Sequence, residues 1–333
     1  GWHVIGFDLL FLQRKCQKLG LDFDIARGGN PPVFYEKKGS GYFAEVDGRL
    51  VIDGPPTLRS AFYRFENFKL NTVASELLGA NKDIESGGAE KVEEIERRFR
   101  EDKESLARYN LLDAELVTQI YDHTLLIDFV LGRMLYSGLT FQKLNLSTAA
   151  FDHFFLPRFH RAGFVASNVV DISREEQAAG GHVFGTQVGL HQHVVVLDFK
   201  SLYPSIIRTF KIDPYSRLQA DKDPVQNPAG ISFSRTHHFL PGRLENLMFE
   251  REEAKSRGDG PLAHAIKILM NSFYGVMGSP RSRFYHSDLP TAITTTGKWA
   301  LTKSAEFLQR EGYEVLYGDT DSVFVKLKES EKT

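Results

Sequence analysis

The segment Tyr317–Ser322, Tyr-Gly-Asp-Thr-Asp-Ser, places two carboxylates two positions apart between two apolar runs. The apolar runs on either side predict a strand, a turn and a second strand. Residues i and i+2 of an extended chain point to the same face, which would place Asp319 and Asp321 side by side. Two anions held so close repel unless a proton or a cation compensates, and carboxylate oxygens suit Mg²⁺. Alternatively, Gly-Asp at a hairpin tip is ordinary turn chemistry.

The composition allows a large core and excludes several classes of protein. With 333 residues, 42% of them hydrophobic, the chain can form two or three domains. Its apolar runs are too short to span a membrane, and no targeting segment is evident. The single cysteine, Cys16, excludes an intramolecular disulfide and fits a reducing cytoplasm. The net charge of −2, from 41 basic and 43 acidic residues, does not decide whether the chain binds nucleic acid, because cations can cluster on one face.

Both ends of the sequence fall at predicted strands. The chain opens at Gly1, without an initiator Met, at the start of a pattern that predicts a buried strand over Trp2–Phe7. It stops just after the strands predicted around residues 315–327. We therefore expect the sequence to be an excerpt of a longer protein.

Hydrophobic periodicity predicts the remaining elements. In the first part of the chain it predicts a helix before residue 30, a β-rich stretch over 31–55, helices over 56–80 and 111–135, and a solvated helix face laced with i,i+4 pairs over 91–108. In the second part it predicts a connection between domains over 137–190, a buried strand over 193–199, loops over 213–242, and helices over 243–257, 261–278 and 289–311.

A third carboxylate and four further polar side chains complete a chemical set. Asp198 ends the strand over 193–199 and is followed by a turn whose backbone N–H groups can meet an anion. Lys267 and Asn271 are spaced i,i+4 on one predicted helix face, and Arg251 and Lys255 repeat that spacing one helix earlier. Three carboxylates facing such a set would match two divalent ions and a polyphosphate.

These segments together resemble a known enzyme family. Asp198–Ser205 (Asp-Phe-Lys-Ser-Leu-Tyr-Pro-Ser), Lys267–Gly275 (Lys-Ile-Leu-Met-Asn-Ser-Phe-Tyr-Gly) and Tyr317–Ser322 resemble motifs A, B and C of family B DNA polymerases, in the right order. Further segments, Ser205–Pro214, Ala178–Val183 and Tyr109–Gln119, resemble bacterial members of that family. The similarity extends over essentially the whole chain.

The resemblance implies a two-metal polymerase site. Asp198 and Asp321 would hold two Mg²⁺ ions, with Asp319 as an auxiliary carboxylate. The N–H groups of Ser201, Leu202 and Tyr203 would cradle the β- and γ-phosphates, and the Tyr203 ring would leave no room for a ribose 2′-hydroxyl. Taken alone, the same residues also fit a helix N-cap at Asp198 and a mere strand exit at Tyr203-Pro204.

The resemblance also assigns the nucleotide's other contacts. Arg251, Lys255, Lys267 and Asn271 would bind the triphosphate; the alternative is a pair of solvated helix faces, above all for Lys255. Tyr274 with Gly275 would back the nascent base pair. Gly180-Gly181 would touch the template backbone, or would form a simple turn.

Residues 1–140 resemble the later part of a 3′–5′ exonuclease domain. Asp8 and Asp113 would be metal ligands there, and Tyr109 would orient the attacking water. The resemblance implies that the family's first exonuclease motif, an Asp-x-Glu, would lie upstream of Gly1, and His3 stands where the family usually has Asn. A two-metal site needs about four carboxylates, so we expect no exonuclease activity from this chain alone.

The expected architecture is a multidomain α/β and α+β protein. The expected domains are 1–140, the later part of an RNase H-like exonuclease domain; 141–190, a connector; 191–215, palm with motif A; 216–285, helical fingers with motif B; and 286–333, palm with motif C. We expect no thumb domain within this sequence. The resemblance implies primer–template DNA and dNTPs as partners, with a sliding clamp bound through a terminus outside this sequence, in a cytoplasmic, nucleoid-associated bacterial polymerase of replication or repair. The alternatives are a non-catalytic nucleic-acid-binding module and, less favoured, a stand-alone nuclease.

Overall fold

The chain divides into two units. In this computed structural model the described residues are 1–39, 41–80, 89–172, 183–185, 187–219 and 222–328. Unit 1 comprises Gly1–Met134 with Thr140–Asn145, and unit 2 comprises Leu135–Leu139 with Leu146–Thr333. Across the described ranges, no helix is long and apolar enough to cross a bilayer.

Unit 1 is mostly helical. Its elements are a π-helical turn at Val4–Leu9, α1 (Leu10–Leu19), β1 (Val33–Lys37), β2 (Gly41–Glu45), α2 (Gly54–Ser60), α3 (Leu70–Leu78), α4 (Ala89–Glu101), α5 (Lys103–Thr124), α6 (Leu126–Ser137, which ends in unit 2) and a 3₁₀ turn at Phe141–Lys143. β1 and β2 pair antiparallel. The predicted end of the helical stretch at Gly79 is confirmed: this glycine has φ 64° and its N–H donates to the carbonyl of Ser75 at 3.1 Å.

The strand predicted over Trp2–Phe7 is wrong, because Val4–Leu9 forms a π-helical turn instead. The N–H of Phe7 donates to the carbonyl of His3 at 3.0 Å, so the backbone finds its partners locally. An apolar run becomes a strand only when another strand satisfies its N–H and C=O groups. Within the described residues of unit 1, the only sheet is the β1–β2 hairpin, so the RNase H-like sheet expected there stays a prediction.

The charge-rich stretch over 91–108 forms two helices. α4 ends before Asp102, whose carboxylate caps α5 by accepting the N–H of Ser105 at 3.0 Å. The predicted pairs along the helix face are confirmed: Arg98 Nε lies 2.7 Å from Glu94 Oε1 and Arg100 Nη2 lies 3.0 Å from Glu96 Oε2. Water screens the Arg100–Glu96 pair, which is well exposed, so it contributes little to stability.

Unit 2 combines helices with a four-stranded antiparallel sheet. Its elements are α7 (Ser147–Arg161), a 3₁₀ turn at Val169–Asp171, β3 (Val183–Phe184), β4 (Val194–Asp198), α8 (Leu202–Thr209), α9 (Pro214–Leu218), β5 (Val225–Gln226), β6 (Ser232–Phe233), α10 (Leu240–Ser256), α11 (Gly260–Met277), α12 (Asp288–Arg310), β7 (Glu314–Asp319) and β8 (Ser322–Lys326). The main sheet has the order β3-β7-β8-β4, and β5 pairs with β6. The predicted helix pair split at residues 258–260 is confirmed as α10 and α11.

The core of unit 2 is rich in phenylalanine, and α7 contributes much of it. Phe151 and Phe155 are fully buried with ring centroids 5.3 Å apart. Phe273 of α11 lies edge-on to Phe151 at 5.6 Å, and Phe284 lies 4.7 Å from Phe155. Each buried aromatic ring removes a large apolar area from water, so this cluster joins α7 to the helices beside the site.

The pattern over 137–190 predicts a connection, whereas the structure has α7 there. Pro157 lies inside the helix, although proline removes a backbone donor and normally ends a helix. The buried faces of Phe151, Phe155 and Phe159 outweigh that local penalty. Tertiary packing therefore decides the state of this segment.

The main sheet packs one face on α12 and leaves β4 open. Val315 of β7 and Val323 of β8 lie in one cluster with Leu301 of α12. The strand predicted over 193–199 is confirmed as β4, but its burial is wrong: Val196 is 51% exposed and Leu197 46%. β4 is an edge strand that pairs only with β8 among the described strands, so its apolar composition does not report burial.

Candidate active site

The Tyr317–Ser322 segment forms the tip of the β7–β8 hairpin. Asp319 pairs with Ser322, leaving Thr320 and Asp321 as a two-residue loop. Thr320 has φ 53°, in the left-handed region that a β-branched residue rarely adopts. The chain therefore turns between the two aspartates, and the extended geometry expected of them does not hold. Their association is by a tight turn, in which the Asp321 N–H approaches the Asp319 carbonyl at 2.6 Å.

The end of β4 lies beside this tip. Asp198 is opposite Ser322 in the antiparallel register of β4 and β8. The next N–H, that of Phe199, donates to the carbonyl of Asp321 at 2.8 Å. The predicted partnership of Asp198 with the hairpin thus has a backbone basis, because sheet pairing fixes the two segments against each other.

The carboxylates at this edge of the sheet interact electrostatically. Burial raises the pKa of Asp321, and the negative charges of Asp198 and, to a smaller extent, Asp319 raise it further. A proton or a cation bound at Asp321 would remove that repulsion. Thr320 Oγ1 donates to Asp319 Oδ1 at 2.9 Å, so the second hairpin aspartate is held by its neighbour in the turn.

The start of α8 supplies backbone donors. Ser201 is its N-cap residue, with φ 53° and ψ 53°, and Leu202 and Tyr203 begin the helix. In the described part of the chain, the N–H groups of these three residues donate no hydrogen bond. Free N–H groups and the positive end of the helix dipole together favour an anion.

α10 and α11 bring cations to the same place. Arg251 and Lys255 lie on α10, and Lys267 and Asn271 lie one turn apart on α11. Asp259 caps α11 by accepting the N–H of Leu262 at 3.1 Å. The side chains from these helices, the start of α8 and the hairpin tip surround a cleft of about 690 Å³. The residues that line it are Asp198, Phe199, Lys200, Ser201, Leu202, Tyr203, Pro204, Arg251, Lys255, Lys267, Asn271, Tyr274, Thr320 and Asp321.

The cleft contains most of the predicted polymerase residues but not all of them. Asp319 does not line it. Over the ranges that the structure describes, no three acidic, histidine or cysteine side chains are grouped closely enough to hold a metal ion by themselves. Asp198 and Asp321 still form a chemically suitable pair for Mg²⁺, because both are hard oxygen donors and their mutual repulsion calls for a cation. A metal here would take its other ligands from water and substrate oxygens.

Tyr203 is held against Tyr274 at the wall of the cleft. The ring centroids lie 4.5 Å apart at 45°. Burial, followed by the effects of Tyr274 and Asp321, raises the pKa of Tyr203 to about 12, so the phenol stays neutral at physiological pH. On the far side lies Gly297 of α12, where an added Cβ would be in ordinary van der Waals contact with the Tyr203 ring, at 3.5 Å.

Two groups in or beside the cleft were not assigned from the sequence. Lys200 lines the cleft, and Glu252 of α10 lies 3.1 Å from its ammonium. Lys200 follows Asp198 by two residues and Glu252 follows Arg251 directly. Their closeness to predicted site residues was the one signal in the sequence that could have assigned them to the site. Their pairing links positions 52 residues apart, which sequence spacing does not reveal.

The predicted exonuclease residues all lie in unit 1. Asp8 is exposed in the π-helical turn, whereas Asp113 is partly buried on α5. Tyr109 is buried on the same helix, with the Lys91 ammonium 5.6 Å from its ring centroid. Their roles stay predictions, as no three-ligand metal group occurs among the described residues. Gly180-Gly181 lies outside the described residues.

Comparison with known proteins identifies the family. The sequence profile of DNA polymerase family B matches residues 147–333, more than half of the chain. The chain therefore belongs to DNA polymerase family B, and the family predicted from the three motifs is confirmed.

Individual relatives agree with this assignment. The chain is 44% identical to DNA polymerase II of Escherichia coli K12 over 335 residues, which are 98% of this chain and 42% of that protein. It is 29% identical to the DNA polymerase of Thermococcus gorgonarius over 344 residues, 96% of this chain and 43% of that protein. A solved family B DNA polymerase from Pyrobaculum calidifontis matches with a TM-score of 0.76 at 26% identity, over 99% of this chain and 45% of that one. The chain spans less than half the length of these relatives.

Proposed function

We propose that this chain carries the nucleotidyl-transfer site of a DNA-directed DNA polymerase, which adds deoxynucleotides 5′ to 3′ to a primer on a DNA template. One observation supports this above all others. A single cleft contains the carboxylates Asp198 and Asp321 on one side and the cations Arg251, Lys255 and Lys267 on another. Metal ligands facing phosphate ligands are what phosphoryl transfer requires.

Asp198 and Asp321 would hold Mg²⁺ in this proposal, with Asp319 in an auxiliary role. Two bound Mg²⁺ ions would lower the pKa of the primer 3′-hydroxyl and offset charge at the α-phosphate. The two aspartates contribute their negative charge and a fixed position, since the register of β4 and β8 ties them to one sheet edge. A bound cation would offset the charge repulsion that helps to raise the pKa of Asp321.

The triphosphate would lie between the start of α8 and the helices α10 and α11. The free N–H groups of Ser201, Leu202 and Tyr203 would donate hydrogen bonds to the β- and γ-phosphate oxygens. Lys267 and Asn271, one turn apart, would bind the same phosphates from the opposite wall.

Tyr203 would select the sugar. Its ring packs against Tyr274 and lies beside α12, and there it would occupy the space that a 2′-hydroxyl needs. Because the phenol is neutral at physiological pH, it adds no repulsion toward the phosphates. Tyr274 would then back the nascent base pair.

The remaining assignments extend the same proposal to the whole protein. Residues 1–140 would be the later part of a 3′–5′ proofreading exonuclease domain, with Asp8 and Asp113 as metal ligands and Tyr109 orienting water. Residues 141–190 would connect it to palm (191–215 and 286–333) and fingers (216–285). The partners would be primer–template DNA, dNTPs and, through a terminus outside this sequence, a sliding clamp, in the bacterial cytoplasm.

Single-turnover primer extension tests the proposed reaction. With this chain in large excess over primer–template and with Mg²⁺ and one complementary dNTP, we expect addition of a single nucleotide but little processive synthesis. Asp321→Ala should abolish addition, and Tyr203→Ala should admit ribonucleotides. DNA binding without any addition is the result expected of a non-catalytic module. Addition that persists in Asp321→Ala would refute the assignment of the site.

A further inference from the structure

Glu252 of α10 is the anion among the cations of the cleft. Its Oε1 atom lies 3.1 Å from Lys200 Nζ, 3.2 Å from Lys255 Nζ and 4.0 Å from Arg251 Nη1. All three cations line the cleft, whereas Glu252 does not. One carboxylate oxygen is therefore paired with both lysines, and Arg251 lies at the outer limit of an ion pair with it.

The contact between Lys200 and Glu252 is unlike the other pairs on α10. Lys255 and Glu252 are neighbours on one helix, where i,i+3 pairing is ordinary. Lys200 instead lies between β4 and α8, so its bond to Glu252 joins the loop after Asp198 to α10. The carboxylate thereby connects the two walls of the cleft that carry the metal ligands and the phosphate ligands.

The Glu252 carboxylate is ionised, and its contacts with the two lysines are partly exposed to water. Hydrogen bonds from Lys200 and Lys255 lower the pKa of Glu252, so it is fully ionised at neutral pH. Yet the Glu252 side chain is 48% exposed and that of Lys200 68%. Water screens such pairs, so a polyanion that reaches the same ammonium groups can replace a single carboxylate.

We propose that Glu252 acts as a resident anion of the triphosphate site: it positions Lys200 and Lys255 while the cleft is empty and gives them up when a nucleotide triphosphate binds. This inference rests on the proposed function. As a consequence, the cleft selects its ligands by their charge. Weakly charged anions do not displace the carboxylate, and the carboxylate regains its partners as pyrophosphate leaves. Glu252 is thus a positioning residue that lowers nucleotide affinity.

Equilibrium titration with dATP and, separately, with inorganic tripolyphosphate tests this role. Both are measured with MgCl₂ at two NaCl concentrations on wild type, Glu252→Gln and the control Glu253→Gln. Glu253 is the exposed neighbour on α10 and carries the same charge, but forms no ion pair with the residues described. Glutamine keeps the shape and the hydrogen-bonding oxygen of Glu252 while removing its charge.

The expected result is tighter binding of both ligands by Glu252→Gln, by about three- to tenfold, the equivalent of one or two exposed ion pairs. Its affinity should also fall more steeply with salt, because more unpaired cations then release bound anions. Glu253→Gln should stay within about twofold of wild type, since an exposed charge contributes little.

Two results would overturn the inference, and a third separates it from the proposed function. The role of Glu252 is contradicted if Glu252→Gln binds tripolyphosphate more weakly than wild type does. It is also contradicted if Glu252→Gln and the control bind tripolyphosphate equally or not at all. If Glu252→Gln binds tripolyphosphate more tightly than wild type but no variant binds dATP, the nucleotide site is refuted and the role of Glu252 stands.

Discussion

A single buried carboxylate, that of Asp213, holds the starts of two helices, and its removal should destabilise unit 2. Asp213 is fully buried. Its Oδ1 accepts the N–H of Ser216 at 2.5 Å and so caps α9. Its Oδ2 accepts the N–H groups of Phe239 at 2.6 Å and Leu240 at 2.9 Å, where α10 begins. α10 carries Arg251, so the anchor also bears on the cleft.

The magnitude follows from these three bonds. Asp213→Ala leaves three donors without their acceptor, and each buried unsatisfied donor costs about 1–3 kcal/mol. Burial raises the pKa of Asp213, which shows that the ionised carboxylate is itself penalised, so part of the loss is offset. We expect Asp213→Ala to lower the free energy of unfolding by about 2–4 kcal/mol. Asp213→Asn, which keeps one acceptor oxygen, should lower it by about 1–2 kcal/mol.

Urea unfolding measures this change, with Trp299 of α12 as a fluorescent reporter for unit 2 and Trp2 for unit 1. Asp259→Ala is the matched control, because Asp259 caps only α11, through one bond of 3.1 Å to the N–H of Leu262. It should cost about 1 kcal/mol, as single caps do. If Asp213→Ala costs no more than this control, the joint anchoring of α9 and α10 by Asp213 is refuted.

Two further predictions concern charge. Asp321→Asn should raise the midpoint of thermal unfolding in the absence of metal, because it removes an ionised group whose pKa is raised by burial and by Asp198. The gain in stability should be absent below the ordinary carboxyl pKa of 3.8 and should appear as the pH rises through the raised pKa. If scanning calorimetry shows no gain at pH 7, this prediction is wrong. Arg283→Ala should lower the free energy of unfolding, measured in urea, by about 1–3 kcal/mol. The reason is that Asp152, which lies 2.9 Å from Arg283 Nε and is only 26% exposed, would lose its partner. A change below about 0.5 kcal/mol, the range of exposed ion pairs, would contradict this prediction.

Local signals allowed the helices around the cleft to be predicted. The break between α10 and α11 follows from Gly258, which adopts φ 75°, and from Asp259, which caps the next helix. The β7–β8 hairpin follows from two apolar runs about a turn. In each case the decisive interactions lie within a few residues, where sequence spacing is informative.

Elements that depend on distant partners could not be predicted in the same way. Val4–Leu9 has strand composition but forms a helical turn, because composition does not specify a pairing strand. α7 tolerates Pro157 because of aromatic packing against helices more than a hundred residues away. The exposure of β4 follows from its place at the sheet edge, which is a property of topology.

The site was predictable to the extent that its motifs are local. Motif order predicted that Asp198 would meet the hairpin, and sheet pairing places it there. The separation of Asp319 from the cleft depends on the turn at Thr320, whose left-handed φ no spacing rule predicts. The ion pair of Glu252 with Lys200 spans two elements and was missed for the same reason as α7.

The effect of Mg²⁺ on dATP binding tests most directly whether Asp198 and Asp321 form the metal side of a nucleotide site. Mg²⁺ lowers the charge of dATP and by itself weakens its attraction to Arg251 and the lysines, so a gain in affinity with Mg²⁺ that depends on Asp198 and Asp321 indicates a carboxylate site. By isothermal titration calorimetry, wild type should bind dATP at least about tenfold more tightly with Mg²⁺, a coupling of about 1.4 kcal/mol. Asp198→Ala and Asp321→Ala should bind it no more tightly with Mg²⁺ than without. If Asp321→Ala retains the Mg²⁺-dependent gain of wild type, the central claim is wrong.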